Sequence, residues 1–215
     1  MTLRPWLVHL LRFFFKHLYT TFAWAYDLVA WTTSMGQWRT WQSTANHDRL
    51  ENPILELGQG PGHLLLDYHR RGYQAVAIDA SKQMTRIAAR RLRRHGFQPT
   101  IICARAQSIP VSSDSFANVV ATFPSEYILE KETLDEIQRV LQPGGELIVI
   151  AVERITGRGI QDRLADWLYR FTGQAGDPGD QWKEPLEEMG FIPKLERVRL
   201  PRADVLRFRA KKPTT

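Results

Sequence analysis

The residues of this 215-residue chain best placed to do chemistry are a glycine-rich loop and a carboxylate one strand later. The loop reads GQGPG at residues 58–62, and Glu56 lies two positions before it. Glycines at alternate positions let the backbone bend sharply and approach a ligand with no side chain in between. Asp79 follows the apolar run 75–78, where its carboxylate can accept both hydroxyls of a ribose. The pattern predicts a ligand that carries a ribose.

The spacing inside the loop distinguishes two classes of ligand. The dinucleotide fingerprint G-x-G-x-x-G/A, started at Gly58, needs a small residue at position 63, where this chain has His63. An acid at position 56 is not part of that fingerprint either. Because a carboxylate there can meet a cation, a sulfonium cofactor with an amino-acid tail fits better than a pyrophosphate. A nicotinamide oxidoreductase is the alternative. It would require NADH binding, and because of His63 we expect this chain to show none.

From residue 53 onwards, the elements that must position these residues alternate between strand and helix. Short apolar runs between turn residues indicate strands, and a 3.6-residue apolar period indicates helices. The predicted strands are 53–57, 75–78, 100–104, 116–121 and 146–152. The predicted helices are 63–71, 82–95, 131–141, 161–171 and 181–189, and a closing hairpin covers 191–200 and 205–211. This order predicts a doubly wound α/β sheet, whose ligands bind outside the carboxyl ends of the strands.

The motifs of this region resemble those of the class I S-adenosylmethionine-dependent methyltransferases. The resemblance covers roughly residues 50–152 and rests on segments 54–62, 78–81 with Met84, 106–110, 114–116 and 141–145. It implies a Rossmann-like seven-stranded sheet with an antiparallel last strand, and S-adenosylmethionine as the cofactor.

The resemblance also implies where each part of the cofactor lies. The methionine end would lie over the glycine loop, the ribose on Asp79, and the adenine between Ala80, Met84 and the segment 106–107. The cofactor-binding residues that we expect are Glu56, Gly58, Gln59, Gly60, Gly62, Asp79, Ala80, Met84, Ala106, Gln107, Phe123 and Tyr26.

Two positions depart from the family pattern. Many members carry an acid one residue before the alanine that matches Ala106, where it receives the adenine amino group, but this chain has Arg105. The backbone of Ala106 and Gln107, or the Gln107 side chain, would then replace that contact. Many members also have Asp after the phenylalanine of the fourth strand, and the Ala117 found here affects packing rather than chemistry.

The sequence after the fourth strand bears on the methyl acceptor. Members that methylate nucleic-acid bases or protein amides tend to carry Asn/Asp-Pro-Pro-Tyr/Phe there, whereas residues 122–125 read TFPS. We therefore expect no nucleic acid as the acceptor, and the aromatic N-terminal region would instead suit a small apolar or aromatic molecule. His63, His47, Glu126 and Tyr127 are candidates for a catalytic base, and the sequence selects none of them.

The first 41 residues hold 11 of the 23 aromatic residues. Segments 25–29 and 35–41 loosely resemble the region before the glycine loop in quinone-biosynthesis C-methyltransferases, which implies that Tyr26 contacts the cofactor; a core aromatic is the alternative. On a helical wheel, basic residues between positions 4 and 16 lie opposite an aromatic and leucine face. Such a helix fits a membrane interface and equally a lid on its own domain. We predict a helical lid at 1–50 and a cofactor-binding domain at 51–215.

The net charge of +6 is unevenly distributed. A cationic stripe of Lys82, Arg86, Arg90, Arg93 and Arg94 lies opposite Met84, Ala88 and Leu92 on one predicted helix. The ordinary interpretation is a solvated surface, and binding of phosphate or lipid headgroups is the alternative.

Composition limits the remaining functions. Cys103 is the only cysteine, so an intramolecular disulfide and a cysteine-based zinc site are excluded, and we expect no metal. No uncharged stretch near the N-terminus reaches the length of a membrane span. We expect a cytoplasmic methyltransferase that contacts the membrane, if at all, through residues 1–20. A non-catalytic or membrane-peripheral S-adenosylmethionine-binding protein is the alternative, because a fold does not fix a function.

Overall fold

The computed structural model describes residues 50–124, 126–155, 178–200 and 203–214. Within these ranges seven strands form one sheet: β1 Ile54–Leu57, β2 Ala75–Asp79, β3 Ile101–Cys103, β4 Phe116–Thr122, β5 Leu141–Ile155, β6 Ile192–Leu200 and β7 Ala203–Lys211. The helices are α1 His63–Arg70, α2 Lys82–Arg94, α3 Lys131–Val140 and α4 Pro178–Glu188, and a 3₁₀ turn covers Glu126–Leu129.

The strands are ordered β3-β2-β1-β4-β5-β7-β6. Strands β1 to β5 run parallel to one another, and β7 is antiparallel to both β5 and β6. The predicted doubly wound sheet with an antiparallel last strand is therefore confirmed. The chain order reverses between β1 and β4, so the loop after β1 opens at the switch point where such sheets bind their ligands.

Apolar side chains are buried on both faces of the sheet. On β1, Leu55 and Leu57 contribute to one core, while Ile54 packs in a second core with Leu65 and Tyr68 of α1. All seven residues of β4 are buried, as expected for a parallel strand covered on both faces. These two cores hold the carboxyl ends of β1, β2 and β4 in fixed relative positions.

Gly62 determines how closely α1 packs on α2. It has a left-handed φ of 77° at the N-cap of α1. A methyl group added there would lie 2.6 Å from Cβ of Ala88 and 3.1 Å from its Cα. The glycine loop is thus joined to a helix start that only a residue without a side chain allows.

Several predicted boundaries differ from the observed ones. The fourth helix begins at Pro178 rather than residue 181, because proline is tolerated in the first helical turn. Strand β5 begins at Leu141, where the backbone is already extended, rather than at residue 146. The predicted lid, apart from Leu50, and the predicted helix 161–171 lie outside the described residues. No helix in the described part of the chain is both long and apolar enough to cross a membrane.

Candidate cofactor site

The carboxylate of Asp79 joins the two predicted motifs. Its Oδ2 accepts a hydrogen bond from the Gly60 amide at 2.9 Å, and its Oδ1 accepts one from the Ser81 amide at 2.8 Å. Burial raises the pKa of Asp79, and these two backbone hydrogen bonds oppose the rise. Each carboxylate oxygen has about two lone-pair positions, so each can accept one further donor. Two adjacent hydroxyl groups would fill that capacity.

The glycine loop is open at one glycine and covered at another. Gly58 and Gly60 have left-handed φ values of 68° and 52°, which glycine adopts without strain. A methyl group added at Gly60 would meet no atom within 4 Å, whereas one added at Gly58 would lie 2.8 Å from the hydroxyl oxygen of Tyr127. A ligand can therefore approach the backbone at Gly60, and Tyr127 forms a wall beside Gly58.

Two buried polar side chains at this loop have no hydrogen-bond partner among the described residues. Both carboxylate oxygens of Glu56 are unpartnered, and so are both polar atoms of the Gln59 amide. Glu56 is 1% exposed and Gln59 is 3% exposed. A buried polar group without a partner typically costs about 1–3 kcal/mol, so native proteins retain few of them.

The electrostatics at Glu56 favour a cation. Burial raises the pKa of Glu56 well above its ordinary value, and the charge of Asp79 raises it further. A positive group placed beside these two acids would supply the missing partner and stabilise the ionised form. The donor set at the loop thus fits a ligand that is cationic at one end and carries vicinal hydroxyls at the other.

Tyr68 is a polar residue of this region that sequence reasoning missed. It lies on α1, is fully buried, and has no hydrogen-bond partner for its hydroxyl in the described ranges. Burial raises the pKa of this phenol, and the charge of Glu56 contributes next. Its position on the apolar face of α1 reads in the sequence as packing alone, so no local signal could have identified it.

The residues expected at the adenine follow β2 and β3. The Ala104 amide donates to the Asp79 carbonyl at 3.2 Å, which brings the loop after β3 beside the end of β2. Ala80 is exposed, and Ala106 is half-buried. The side-chain Nε2 of Gln107 donates a hydrogen bond to the Glu130 carboxylate. The backbone of residues 106–107 is therefore the better candidate for an adenine contact.

Met84 belongs to the first turn of α2. The side-chain oxygen of Ser81 caps this helix by accepting a hydrogen bond from the Met84 amide at 3.3 Å. The Met84 side chain is buried. It lies three residues past the helix cap and five past Asp79, and its contact with the adenine stays a prediction.

The end of β4 carries a strained backbone. Phe123 has a left-handed φ of 52°, and its amide donates to the Ile150 carbonyl at 2.7 Å. A non-glycine residue in this region costs about 1–3 kcal/mol, and such strain is concentrated at functional sites. The following 3₁₀ turn brings Tyr127, one of the four candidate bases, beside Gly58, and the Glu126 side chain lies outside the described part of the structure. Tyr26 and His47 lie outside the described residues.

Metal ligands are not assembled here. Across the ranges that the structure describes, no group of three or more His, Cys, Asp or Glu side chains is placed to hold a metal ion.

Comparison with known sequences identifies the domain. Residues 54–145 match a family model described as a methyltransferase domain. The chain is 31% identical over 130 residues to a demethylmenaquinone methyltransferase of Paenarthrobacter aurescens, covering 58% of this chain and 49% of that protein. It is 29% identical over 140 residues to the ubiquinone/menaquinone biosynthesis C-methyltransferase UbiE of Hahella chejuensis, covering 61% and 56%. The chain spans about half the length of the curated relatives it matches.

Comparison with solved structures confirms the fold. The YcgJ protein from Bacillus subtilis superimposes with a TM-score of 0.62 at 15% identity, covering 81% of this chain and 97% of that one. A phosphoethanolamine N-methyltransferase of Haemonchus contortus, in complex with phosphomonomethylethanolamine and S-adenosylhomocysteine, gives 0.62 at 16% identity, covering 83% and 53%. The matches to the methyltransferase family model and to the two quinone-biosynthesis methyltransferases confirm the predicted resemblance to class I S-adenosylmethionine-dependent methyltransferases, and the solved structures confirm the fold.

Proposed function

We propose that this chain is an S-adenosylmethionine-dependent methyltransferase that acts on a small, apolar or aromatic acceptor. The observation that carries the proposal is the buried, unpartnered carboxylate of Glu56 beside a glycine loop whose other edge is held by Asp79. These groups are complementary to a cationic amino-acid end and a ribose, and the space over Gly60 admits the backbone contact between them.

The residues present fit this cofactor. Asp79 would accept the ribose hydroxyls through the lone pairs that its two backbone hydrogen bonds leave unused. Glu56 would meet the cationic methionine end, and Gln59 would supply its buried amide. The other residues that we propose to contact the cofactor are Gly58, Gly60, Gly62, Ala80, Met84, Ala106, Gln107, Phe123 and Tyr26.

When bound, S-adenosylmethionine supplies a methyl group on a positively charged sulfur for in-line transfer to a nucleophilic atom. The task of the chain is to hold the acceptor at a near-attack distance, since orientation alone can lower such barriers by about 7–11 kcal/mol. Phe123 and Tyr127 lie at the carboxyl end of β4, and Tyr127 contacts the loop there, so we assign this side of the site to the acceptor. The proposed lid would exclude water and so favour a step in which a cationic sulfur becomes neutral.

The names of the curated relatives suggest the first acceptor class to assay. They are demethylmenaquinone and ubiquinone/menaquinone methyltransferases. A quinone-related aromatic ring agrees with the apolar or aromatic acceptor expected from the 11 aromatic residues among the first 41 positions. We further propose that the protein is cytoplasmic, that residues 1–50 cover the site as a lid, and that residues 1–20 contribute a peripheral membrane contact.

Calorimetry with S-adenosylhomocysteine tests the binding half of the proposal. We expect the wild type to bind and Asp79→Ala to lose about 10- to 150-fold, because hydrogen bonds to a charged group contribute about 1.5–3 kcal/mol. Asp135→Asn on the exposed surface of α3 removes one carboxylate far from the loop and is the matched control. Absence of wild-type binding, or equal affinity in Asp79→Ala, would refute the cofactor assignment.

Turnover is tested separately. The wild type is incubated with isotopically labelled S-adenosylmethionine and a demethylated quinol, and the product is examined by mass spectrometry for one added methyl group. Cofactor binding without transfer to any apolar acceptor would leave the site as a binding module and contradict the enzymatic proposal.

A further inference from the structure

The outer face of α2 is a row of exposed cations. Met84, Ala88 and Leu92 are buried against the sheet, as predicted, and the opposite face is exposed at Lys82, Arg86, Arg90, Arg93 and Arg94. The helix sequence contains no acidic residue. The side chains of these five residues are therefore not neutralised within their own helix.

The other described helices differ from α2 in this respect. Asp67 of α1 pairs with Arg71 just beyond the helix end, at 3.1 Å. Within α3, Lys131 pairs with Asp135 at 2.8 Å, and within α4, Lys183 pairs with Glu187 at 3.5 Å. On the exposed surfaces of the other described helices, a cation is thus paired with an acidic side chain nearby. The exposed cations of α2 have no acidic residue in their own helix.

Helix-dipole stabilisation explains only part of this charge. Cations are favourable in the last turn of a helix, which accounts for Arg93 and Arg94. Lys82 lies in the first turn, where the dipole disfavours a positive charge, and Arg86 and Arg90 lie in the middle. Neither the helix dipole nor an ion pair within the helix therefore accounts for the cations at Lys82, Arg86 and Arg90.

The stripe begins beside the candidate cofactor site. Lys82 follows Asp79 by three positions, so the first turn of α2 lies at the carboxyl edge of the sheet. Arg105, in the loop after β3, is exposed at the same edge. A surface that attracted the stripe would therefore lie next to the mouth of the site.

We propose that the outer face of α2 is a docking surface for anionic lipid headgroups. The inference rests on the proposed function in one respect, since an apolar acceptor resides in the membrane and docking by α2 would bring the site to it. Five exposed cations on the outer side of one helix can face an anionic surface together, and each cation held near such a surface strengthens binding roughly fivefold.

The composition of the helix favours lipid over nucleic acid. Proteins that bind single-stranded nucleic acid combine cations with aromatic side chains on which bases stack, and α2 has no aromatic residue.

Vesicle co-sedimentation of the full chain tests the proposal. The quadruple variant Arg86→Gln, Arg90→Gln, Arg93→Gln and Arg94→Gln keeps good helix formers on an exposed face, so the fold is retained. The control variant removes four exposed cations elsewhere: Lys183→Gln, Arg197→Gln, Arg199→Gln and Lys211→Gln. Both variants have the same net charge, and circular dichroism and thermal melting verify their folds.

We expect binding to equimolar phosphatidylcholine and phosphatidylglycerol vesicles, and none to phosphatidylcholine alone. The α2 variant should lose at least about 50-fold in partitioning, the control variant little, and added salt should weaken the wild type. Equal loss in both variants would indicate non-specific attraction, and undiminished binding of the α2 variant would assign it to another segment; either result overturns the proposal. Tighter binding of the wild type to duplex DNA or to RNA than to the vesicles at the same salt would also overturn it.

Calorimetry separates this proposal from the proposed function. The α2 variant should bind S-adenosylhomocysteine as the wild type does, because none of the four arginines contacts the glycine loop or Asp79. Failure of cofactor binding in the wild type would refute the methyltransferase assignment without affecting the vesicle result.

Discussion

The hydroxyl of Tyr127 lies against the backbone of Gly58, so close that a methyl group on Gly58 would come within 2.8 Å of it. Gly58 starts the loop after β1, and Tyr127 belongs to the 3₁₀ turn that follows β4. These two strands are hydrogen-bonded neighbours at the switch point of the sheet. The contact therefore joins the side of the site assigned to the cofactor with the side assigned to the acceptor.

Gly58→Ala should destabilise the protein and abolish binding of S-adenosylhomocysteine. The added methyl group meets the Tyr127 oxygen, and the left-handed φ costs a further ~1–2 kcal/mol. Adding Tyr127→Phe removes the clashing oxygen and should restore part of the stability, as measured by urea unfolding.

Gly60→Ala is the matched control for this pair. It carries a similar left-handed strain but meets no atom within 4 Å, so its loss of stability should be smaller and unaffected by Tyr127→Phe. Equal effects of Tyr127→Phe on the two alanine variants would show that the hydroxyl does not restrict Gly58.

Glu56→Gln should stabilise the ligand-free protein increasingly as the pH rises. Because burial raises the pKa of Glu56, the folded state binds the proton more tightly than the unfolded state does. The free energy of unfolding of the wild type therefore falls as pH rises from the ordinary value of 4.5 through the folded pKa. The glutamine variant lacks this loss, and we expect a gain on the order of 1 kcal/mol.

Urea unfolding at about pH 5 and about pH 8 measures this difference. Glu184→Gln replaces an exposed carboxylate on α4, so the free energy of unfolding should stay unchanged at both pH values. The Glu56→Gln variant should also bind S-adenosylhomocysteine more weakly. If Glu56→Gln were less stable than the wild type at the higher pH, the ionised Glu56 carboxylate would have a partner, contrary to what the described residues show.

Gly62→Ala should cost about 2–4 kcal/mol of stability, since overpacking against Ala88 adds to the strain of a left-handed φ. The control is Gly72→Ala, which has a similar φ of 79° and open space around it, and which should cost only about 1–2 kcal/mol. Comparison of the urea midpoints isolates the contact between α1 and α2. Equal losses in the two variants would mean that the helices separate freely.

Cys103 offers a direct probe of the adenine side. It is the only cysteine, it is exposed, and its sulfur lies 3.8 Å from the Ala80 carbonyl oxygen. In the sheet it is the register partner of Asp79. Saturating S-adenosylhomocysteine should therefore slow the reaction of this thiol with a disulfide reagent at least about tenfold.

Asp79→Ala serves as the control for the labelling experiment, because a variant that does not bind the ligand should show no protection. An unchanged labelling rate in the wild type at saturating ligand would place the ligand elsewhere.

Much of the fold was predictable because its signals are local. The glycine loop, the acid at the tip of β2 and the apolar runs of the parallel strands are each encoded within a few residues, and their order dictates a doubly wound sheet. The stripe of α2 was likewise visible, since a 3.6-residue period places Met84, Ala88 and Leu92 opposite the cations. The helix that starts at Pro178 was predicted to begin at residue 181, because the Gly, Asp and Pro residues at 172–180 indicate a loop, although proline is acceptable in a first helical turn.

The sequence by itself determined which residues line the carboxyl edge of the sheet, because motif spacing fixes a loop, a strand tip and a helix start. The tertiary structure decided how those residues meet. Three features depend on segments distant in the chain being packed together: Glu56 is buried with no partner among the described residues, Gln107 is hydrogen-bonded to Glu130, and Tyr127 covers Gly58. Burial and long-range contact are properties of the assembled core, and no local pattern records them.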